Sequence, residues 1–260
     1  MHERLSLYIH RASRLHRLNP LTKLTLTFAL ILVAFTSPWY WTATGLIVAV
    51  VVPLSFVGKV QREYSWTALR LLAPVTGFIF VMQSFFLPGG ETELFRFTFL
   101  RLTSETLAQA YLTAIRIFVM VSSFLLFLLT THPSELMGDL TRRGLPGQFA
   151  YVIVSTLQII PQMQAKAQTI IAAQRSRGLD TEGTFLKRVG ALAPLVGPLV
   201  FGSLVEVEER AIAIEARGFT SARPKTFLRE LPDTRADKFI RWTLVVLVLF
   251  TFATRLLHWG

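Results

Sequence analysis

Five nearly uninterrupted apolar stretches constrain this chain more than anything else in it. A helix needs roughly 20 apolar residues to cross about 30 Å of hydrocarbon, and backbone inside that layer must satisfy its own hydrogen bonds. Leu24 to Thr36 is apolar but short, and reaches spanning length only with Pro20 to Lys23 and Ser37. Trp39 to Val57 opens with Trp39-Tyr40-Trp41, rings that favour the membrane interface. Ser37-Pro38 between them is a turn signal, so the first two crossings read as a tight helical hairpin. Leu69 to Leu87 follows, closed by Pro88-Gly89-Gly90, then Thr106 to Thr131, interrupted only by Arg116, and last Phe239 to Leu257. The expectation is an all-α integral membrane protein with about five transmembrane helices. The 52% hydrophobic content, 21 Phe and mean hydropathy of +0.49 belong to the same class. An ionised arginine inside a span costs at least a few kcal/mol unless paired or snorkelling, so Arg116 reads as a paired or snorkelling arginine, or else as a bundle-interior residue that supports a moving interface.

The net charge of +11 is read as topology rather than nucleic-acid binding. Lys and Arg collect in cytoplasmic loops. Arg4, Arg11, Arg14, Arg17 and Lys23 mark the N-terminal segment, and Lys59, Arg62 and Arg70 the loop after the second span. The N-terminus is therefore expected in the cytoplasm and the C-terminus outside, with Arg255 mildly against the rule. The first 20 residues hold no continuous apolar run, so no cleavable signal peptide is expected. Cysteine is absent, which removes disulfides, thiolate nucleophiles and Cys metal ligands. The five histidines form no ligand-spaced pair, and no Walker lysine motif exists.

Between the fourth and last spans lies a polar segment that reads as helices. Thr131-His132-Pro133-Ser134-Glu135 is a helix start, with Thr131 as the hydroxyl N-cap candidate. That helix runs to about Arg143 and stops at Gly144-Leu145-Pro146. Gln148 to Arg177 is a second stretch, which Pro161 must kink or break. Phe185 to Arg217 is a third, interrupted by Gly190, Pro194, Gly197, Pro198 and Gly202. Glu206 and Arg210, four apart, can pair on one face. Small residues recur in both long stretches, which lets two helices cross closely. The domain reading is residues 1–131 for the N-terminal segment and four spans, 132–219 for a cytoplasmic insert of three coupling helices, and 220–260 for a linker and the last span.

Each long stretch of the insert ends on Arg-Gly. Ser176-Arg177-Gly178 is echoed by Ala216-Arg217-Gly218. One such pair is an ordinary helix end, with arginine favourable near the dipole and glycine at the stop. Two matched pairs in one insert point to docking, because a guanidinium offers five donors in a rigid fork to a partner's carboxylates or carbonyls.

With these residues the chain resembles the transmembrane T component of energy-coupling factor transporters. The two X-Arg-Gly signatures carry the resemblance. Leu18-Asn19-Pro20-Leu21-Thr22-Lys23-Leu24, Thr130-Thr131-His132-Pro133 and Gly144-Leu145-Pro146 support it, over nearly the whole chain. The resemblance implies a non-catalytic scaffold between two cytoplasmic ATPase subunits and a substrate-binding membrane S component, in the prokaryotic plasma membrane. It implies uptake of a vitamin or a metal ion such as cobalt or nickel, with ATP and Mg held by the partner ATPases and no cofactor in this chain. Ser176, Arg177, Gly178, Ala216, Arg217 and Gly218 would form the ATPase-docking ends. A stand-alone permease would instead need polar residues lining the spans, and an integral membrane lipid enzyme would need clustered Asp, Glu or His at a membrane face. The chain offers little of either.

Overall fold

The computed structural model describes residues 11, 13–87, 92–97, 100–178, 185–221 and 233–259. Arg4, the Pro88-Gly89-Gly90 stop and residues 222–232 of the expected linker lie outside them. Contacts divide the chain into two units. One is Ser6–Gly144 with Leu231–Gly260. The other contains Leu145–Glu230.

The first unit holds the apolar helices. Helix α1 (Pro20–Thr36) starts on Asn19, whose Oδ1 accepts the Leu21 N–H at 2.9 Å. Pro20 stands first in the helix, where its missing N–H costs nothing. At the other end, Arg116 donates from Nε to the Ala34 carbonyl at 2.9 Å and from Nη2 to the Ser37 carbonyl at 3.0 Å. Arg255 Nη1 donates to the Phe35 carbonyl at 3.1 Å. A helix leaves its last carbonyls without intrahelical partners. Arg116 is thus a paired arginine that completes the C-terminus of α1.

Helices α2 (Thr42–Val57) and α3 (Gln61–Phe86) each contain one widened π turn, Ile47–Val51 and Ala68–Leu72. Both turns lie just before a proline, Pro53 and Pro74. Proline has no N–H to close a normal turn and its ring crowds the carbonyl four residues back, which the wider turn relieves. Helix α3 begins eight residues before the expected Leu69. Its polar first turns hide a stripe at fourfold spacing: Val60, Tyr64, Ala68 and Leu72 are all buried. A search for continuous apolar residues misses such a stripe, whereas helical periodicity finds it.

Strands β1 (Glu93–Phe97) and β2 (Leu100–Thr103) pair antiparallel where a loop was expected. Helix α4 (Ser104–Thr130) starts on a capping box, Thr103 Oγ1 accepting the Thr106 N–H and Thr106 Oγ1 accepting that of Thr103. Helix α5 (Pro133–Arg142) starts on His132, whose Nδ1 accepts the Ser134 N–H at 3.3 Å. The expected cap, Thr131, is buried instead, and its hydroxyl meets no partner among the described residues. Of the described helices, three are long and apolar enough to cross a membrane: α3, α4 and the Arg235–Leu257 part of the last helix. Helices α1 and α2 are shorter apolar helices. The core between them gathers Leu30, Val51, Tyr64, Ala68, Leu72, Leu125 and Leu129.

The second unit holds α6 (Gly147–Ser176) and α7 (Phe185–Ala216). Helix α6 runs unbroken through Pro161, and α7 through Pro194 and Pro198. Each proline deletes one backbone hydrogen bond, yet in helices of 30 and 32 residues the turns on either side hold the path. The chain closes with α8 (Arg235–Trp259), in the first unit.

Candidate functional site

Both expected signatures sit at helix ends, and both glycines adopt a conformation that excludes most other residues. Gly178 has φ 90° and Gly218 φ 73°, the left-handed region where only glycine escapes a Cβ clash. The Gly178 N–H returns to the Arg175 carbonyl at 3.0 Å. The Gly218 N–H returns to Glu215 at 2.9 Å, and the Phe219 N–H to Ile214 at 3.1 Å. These bonds close the last carbonyls of each helix. The chain therefore turns off sharply just after Arg177 and Arg217. Both arginines are exposed, and no hydrogen bond or ion pair joins either side chain to another described residue. Ser176 Oγ is turned inward onto its own helix, donating to the Ala172 carbonyl at 3.1 Å. Ala216 adds no polar group beside Arg217.

The helices behind these ends are short of internal packing. No residue of α6 is buried. Phe149, Val152, Phe201 and Leu204 are each at least 60% exposed. Contiguous apolar exposure of this kind marks a surface meant for a partner or for lipid. Glu206 does not take Arg210 of its own helix. It meets Lys166 of α6 at 2.6 Å, because the facing helix brings an ammonium close enough to compete.

The spacing of apolar residues gave no hint of a second polar assembly, in the first unit. Asp237, in the first turn of α8, is 1% exposed. Its Oδ2 accepts the Thr234 N–H at 3.1 Å and the Thr234 hydroxyl at 2.5 Å, and its Oδ1 accepts the Asn19 N–H at 3.2 Å. Asn19 is also 1% exposed, and its Nδ2 donates to Asp139 of α5 at 3.2 Å. Lys23, buried as well, donates to the carbonyls of His16 at 3.2 Å and Thr130 at 2.8 Å. Asp233 ties two of the same helices together again, accepting from Arg143 at the end of α5 at 3.0 Å and from Arg241 of α8 at 2.7 Å. This knot binds α1, α5 and α8 where the chain leaves the unit after Gly144 and re-enters at Leu231. Asn19-Pro20 entered the sequence reading only through the resemblance, and Thr234 and Asp237 fell in the stretch read as linker, so neither helix cap was read from the sequence.

Asp233 gives a pH signature. Burial pushes its carboxyl up, but hydrogen bonds and charge from Arg241 and Arg143 outweigh this and hold it below the ordinary carboxylate range. A depressed carboxylate stabilises the fold above the unfolded-chain value, about 3.9, and loses that contribution as pH falls through the lower folded value. Asp233→Asn should therefore melt below the wild type at pH 7, and the gap should shrink as pH drops below about 4. Melting curves of both proteins in detergent across pH 3 to 7 check this.

Fold and site together define a class: a multi-spanning, all-helical membrane protein carrying two long helices that end on exposed, glycine-stopped arginines. Residues 11–227 match the family described as "Cobalt transport protein", CbiQ. The chain is 30% identical over 254 residues to the energy-coupling factor transporter transmembrane protein EcfT of Limosilactobacillus fermentum, covering 94% of each chain. It is 30% identical over 252 residues to EcfT of Listeria innocua, again 94% of each, and 28% over 264 residues to that of Bacillus subtilis, 95% of this chain and 96% of the relative. The chain belongs to this family, as an energy-coupling transmembrane T component of energy-coupling factor transporters.

Proposed function

We propose that the chain is the non-catalytic coupling scaffold of an importer, gripped by two cytoplasmic ATP-hydrolysing subunits at Arg177 and Arg217. The observation that carries this reading is the pair of exposed arginines, each set at a helix tip by a left-handed glycine. A cation at such a tip suits a carboxylate or a row of carbonyls in a partner's groove. Closing of the ATPase pair on ATP then moves α6 and α7. That motion passes to a substrate-binding membrane subunit packed on their exposed apolar faces. ATP and Mg stay with the partners. The family description, "Cobalt transport protein", and the coupling-factor naming of the relatives support uptake of a transition-metal ion or a vitamin. The basic loops support a cytoplasmic N-terminus in a prokaryotic plasma membrane.

Reconstitution tests the reading. In liposomes holding this chain alone, cobalt, nickel and a panel of radiolabelled vitamins should all stay outside. With the two ATPase subunits and a substrate-binding subunit added, one of them should accumulate when ATP is supplied. Accumulation by the chain alone would turn the reading into that of a stand-alone permease.

A further inference from the structure

The two coupling helices carry a numerical regularity that the docking reading does not use. Lys166 Nζ meets Glu206 Oε1 at 2.6 Å, and Ser203 Oγ reaches Met163 Sδ at 3.4 Å. Both contacts join residues 40 apart in sequence. Arg177 and Arg217 are also 40 apart. The helices nevertheless run in opposite senses: beyond the end of α7, Phe219 packs its ring on Tyr151, near the start of α6, at 5.2 Å between centroids. Two antiparallel helices that touch through equivalent positions are related by a local two-fold axis at the point of contact. Residues far from such an axis meet non-equivalent partners, and only residues beside it meet their own counterparts. The axis therefore passes between the 163–203 and 166–206 pairs.

The crossing is built for close contact. A Cβ on Gly202 would lie 2.7 Å from Lys166 Nζ and 3.1 Å from its Cε, so the lysine fills the notch that the glycine leaves. Its ammonium then reaches Glu206 one turn further along α7. From Lys166 to Arg177, and from Glu206 to Arg217, is eleven residues each, about 17 Å of helix at 1.5 Å per residue. The two arms leave the crossing in opposite directions and are equally long.

We infer that Lys166, Gly202 and Glu206 form the pivot of the coupling helices, an ionic hinge pin on a pseudo-two-fold axis that gives the two docking arginines equal lever arms. This rests on the docking reading and adds to it the fixed point. These are positioning residues. They hold the geometry through which the tips move and touch neither substrate nor nucleotide. A partner pair that closes symmetrically would swing both tips by the same amount while the crossing stays in place.

The chain has no native cysteine, so spin labels can be placed cleanly. One pair flanks the pivot, Gln164→Cys with Leu204→Cys. The other lies out on the arms, Ala173→Cys with Ala213→Cys. Interspin distances are measured in the complex with its ATPase subunits, without nucleotide and with a non-hydrolysable ATP analogue. The arm pair should change by about one helical turn, roughly 5 Å, while the pivot pair holds within about 2 Å. Lys166→Glu should broaden the pivot distance, and Lys166→Glu with Glu206→Lys should narrow it again. A pivot pair that moves as far as the arm pair overturns the inference, as does a charge swap that restores nothing. If the ATPase subunits bind normally in either case, the docking reading survives that failure. If they do not co-purify with the labelled chain at all, docking fails and the pivot falls with it.

Discussion

Replacing both helix-tip arginines, Arg177→Glu with Arg217→Glu, should strip the chain of its ATPase subunits while leaving it folded in the membrane. The expected loss in co-purified ATPase is at least tenfold per site. Truncating one partner of a desolvated charge pair at an interface costs about 2–5 kcal/mol, and 1.4 kcal/mol is a factor of ten. Reversal adds repulsion to the loss. Stability should hardly move, because both side chains are exposed and neither bonds to another described residue. Changes at such surface positions stay within about 0.5 kcal/mol. Single variants should each weaken one ATPase contact and leave the other, which distinguishes two grips from one. Gly178→Ala and Gly218→Ala should act on the same contacts by another route, since a Cβ is strained at φ 90° and 73° and the tip must re-form. Normal recovery of both ATPase subunits with the double arginine variant would end the docking reading.

The second large effect is on stability and lies in the other unit. Asp237→Ala should lower the stability of the membrane unit by about 3 kcal/mol, the cost of leaving a buried donor without its charged acceptor and two further donors without theirs. Three donors lose their acceptor at once: the Asn19 N–H, the Thr234 N–H and the Thr234 hydroxyl. Asp237 and Asn19 are each 1% exposed, so the Asn19 N–H finds no substitute for the carboxylate, while the Thr234 donors lie at the surface. In detergent the melting midpoint should fall by roughly 5–10 °C. Asp237→Asn keeps one carbonyl acceptor and should recover part of the loss. If Asp237→Ala melts with the wild type, the knot is not what holds α8 to α1 and α5. Binding of ATPase subunits by whatever folded Asp237→Ala remains should be unchanged. Its defect is thereby separable from that of the arginine variants.

Much of the fold was legible because hydrocarbon is an unforgiving solvent. Leu69 to Leu87 and Thr106 to Thr131 could be read as helices from apolar length alone. Their true starts, Gln61 and Ser104, could not, because the first turns of a span are polar and are set by capping and by a buried stripe. The hairpin before α4 was missed since a short charged segment such as Glu93–Phe97 has no apolar period strong enough to stand out from a loop. Arg116 was legible as needing a partner, but not which one: the carbonyls of Ala34 and Ser37 are about 80 positions away in sequence.

At the candidate site the division is sharper. Arg177-Gly178 and Arg217-Gly218 announced themselves, because a helix end is a local event and glycine is its local solution. Chain order alone determined the class of this protein: apolar helices from apolar length, and two helix tips from two glycines. Only the tertiary structure decided what the polar residues behind those features do. Glu206 has Arg210 one turn away and takes Lys166 instead, and Asp237 reaches back more than 200 residues to Asn19. A buried or half-buried charge takes the partner that the fold brings within about 3 Å. The energy of that pairing falls off with distance in space, to which distance along the chain is blind.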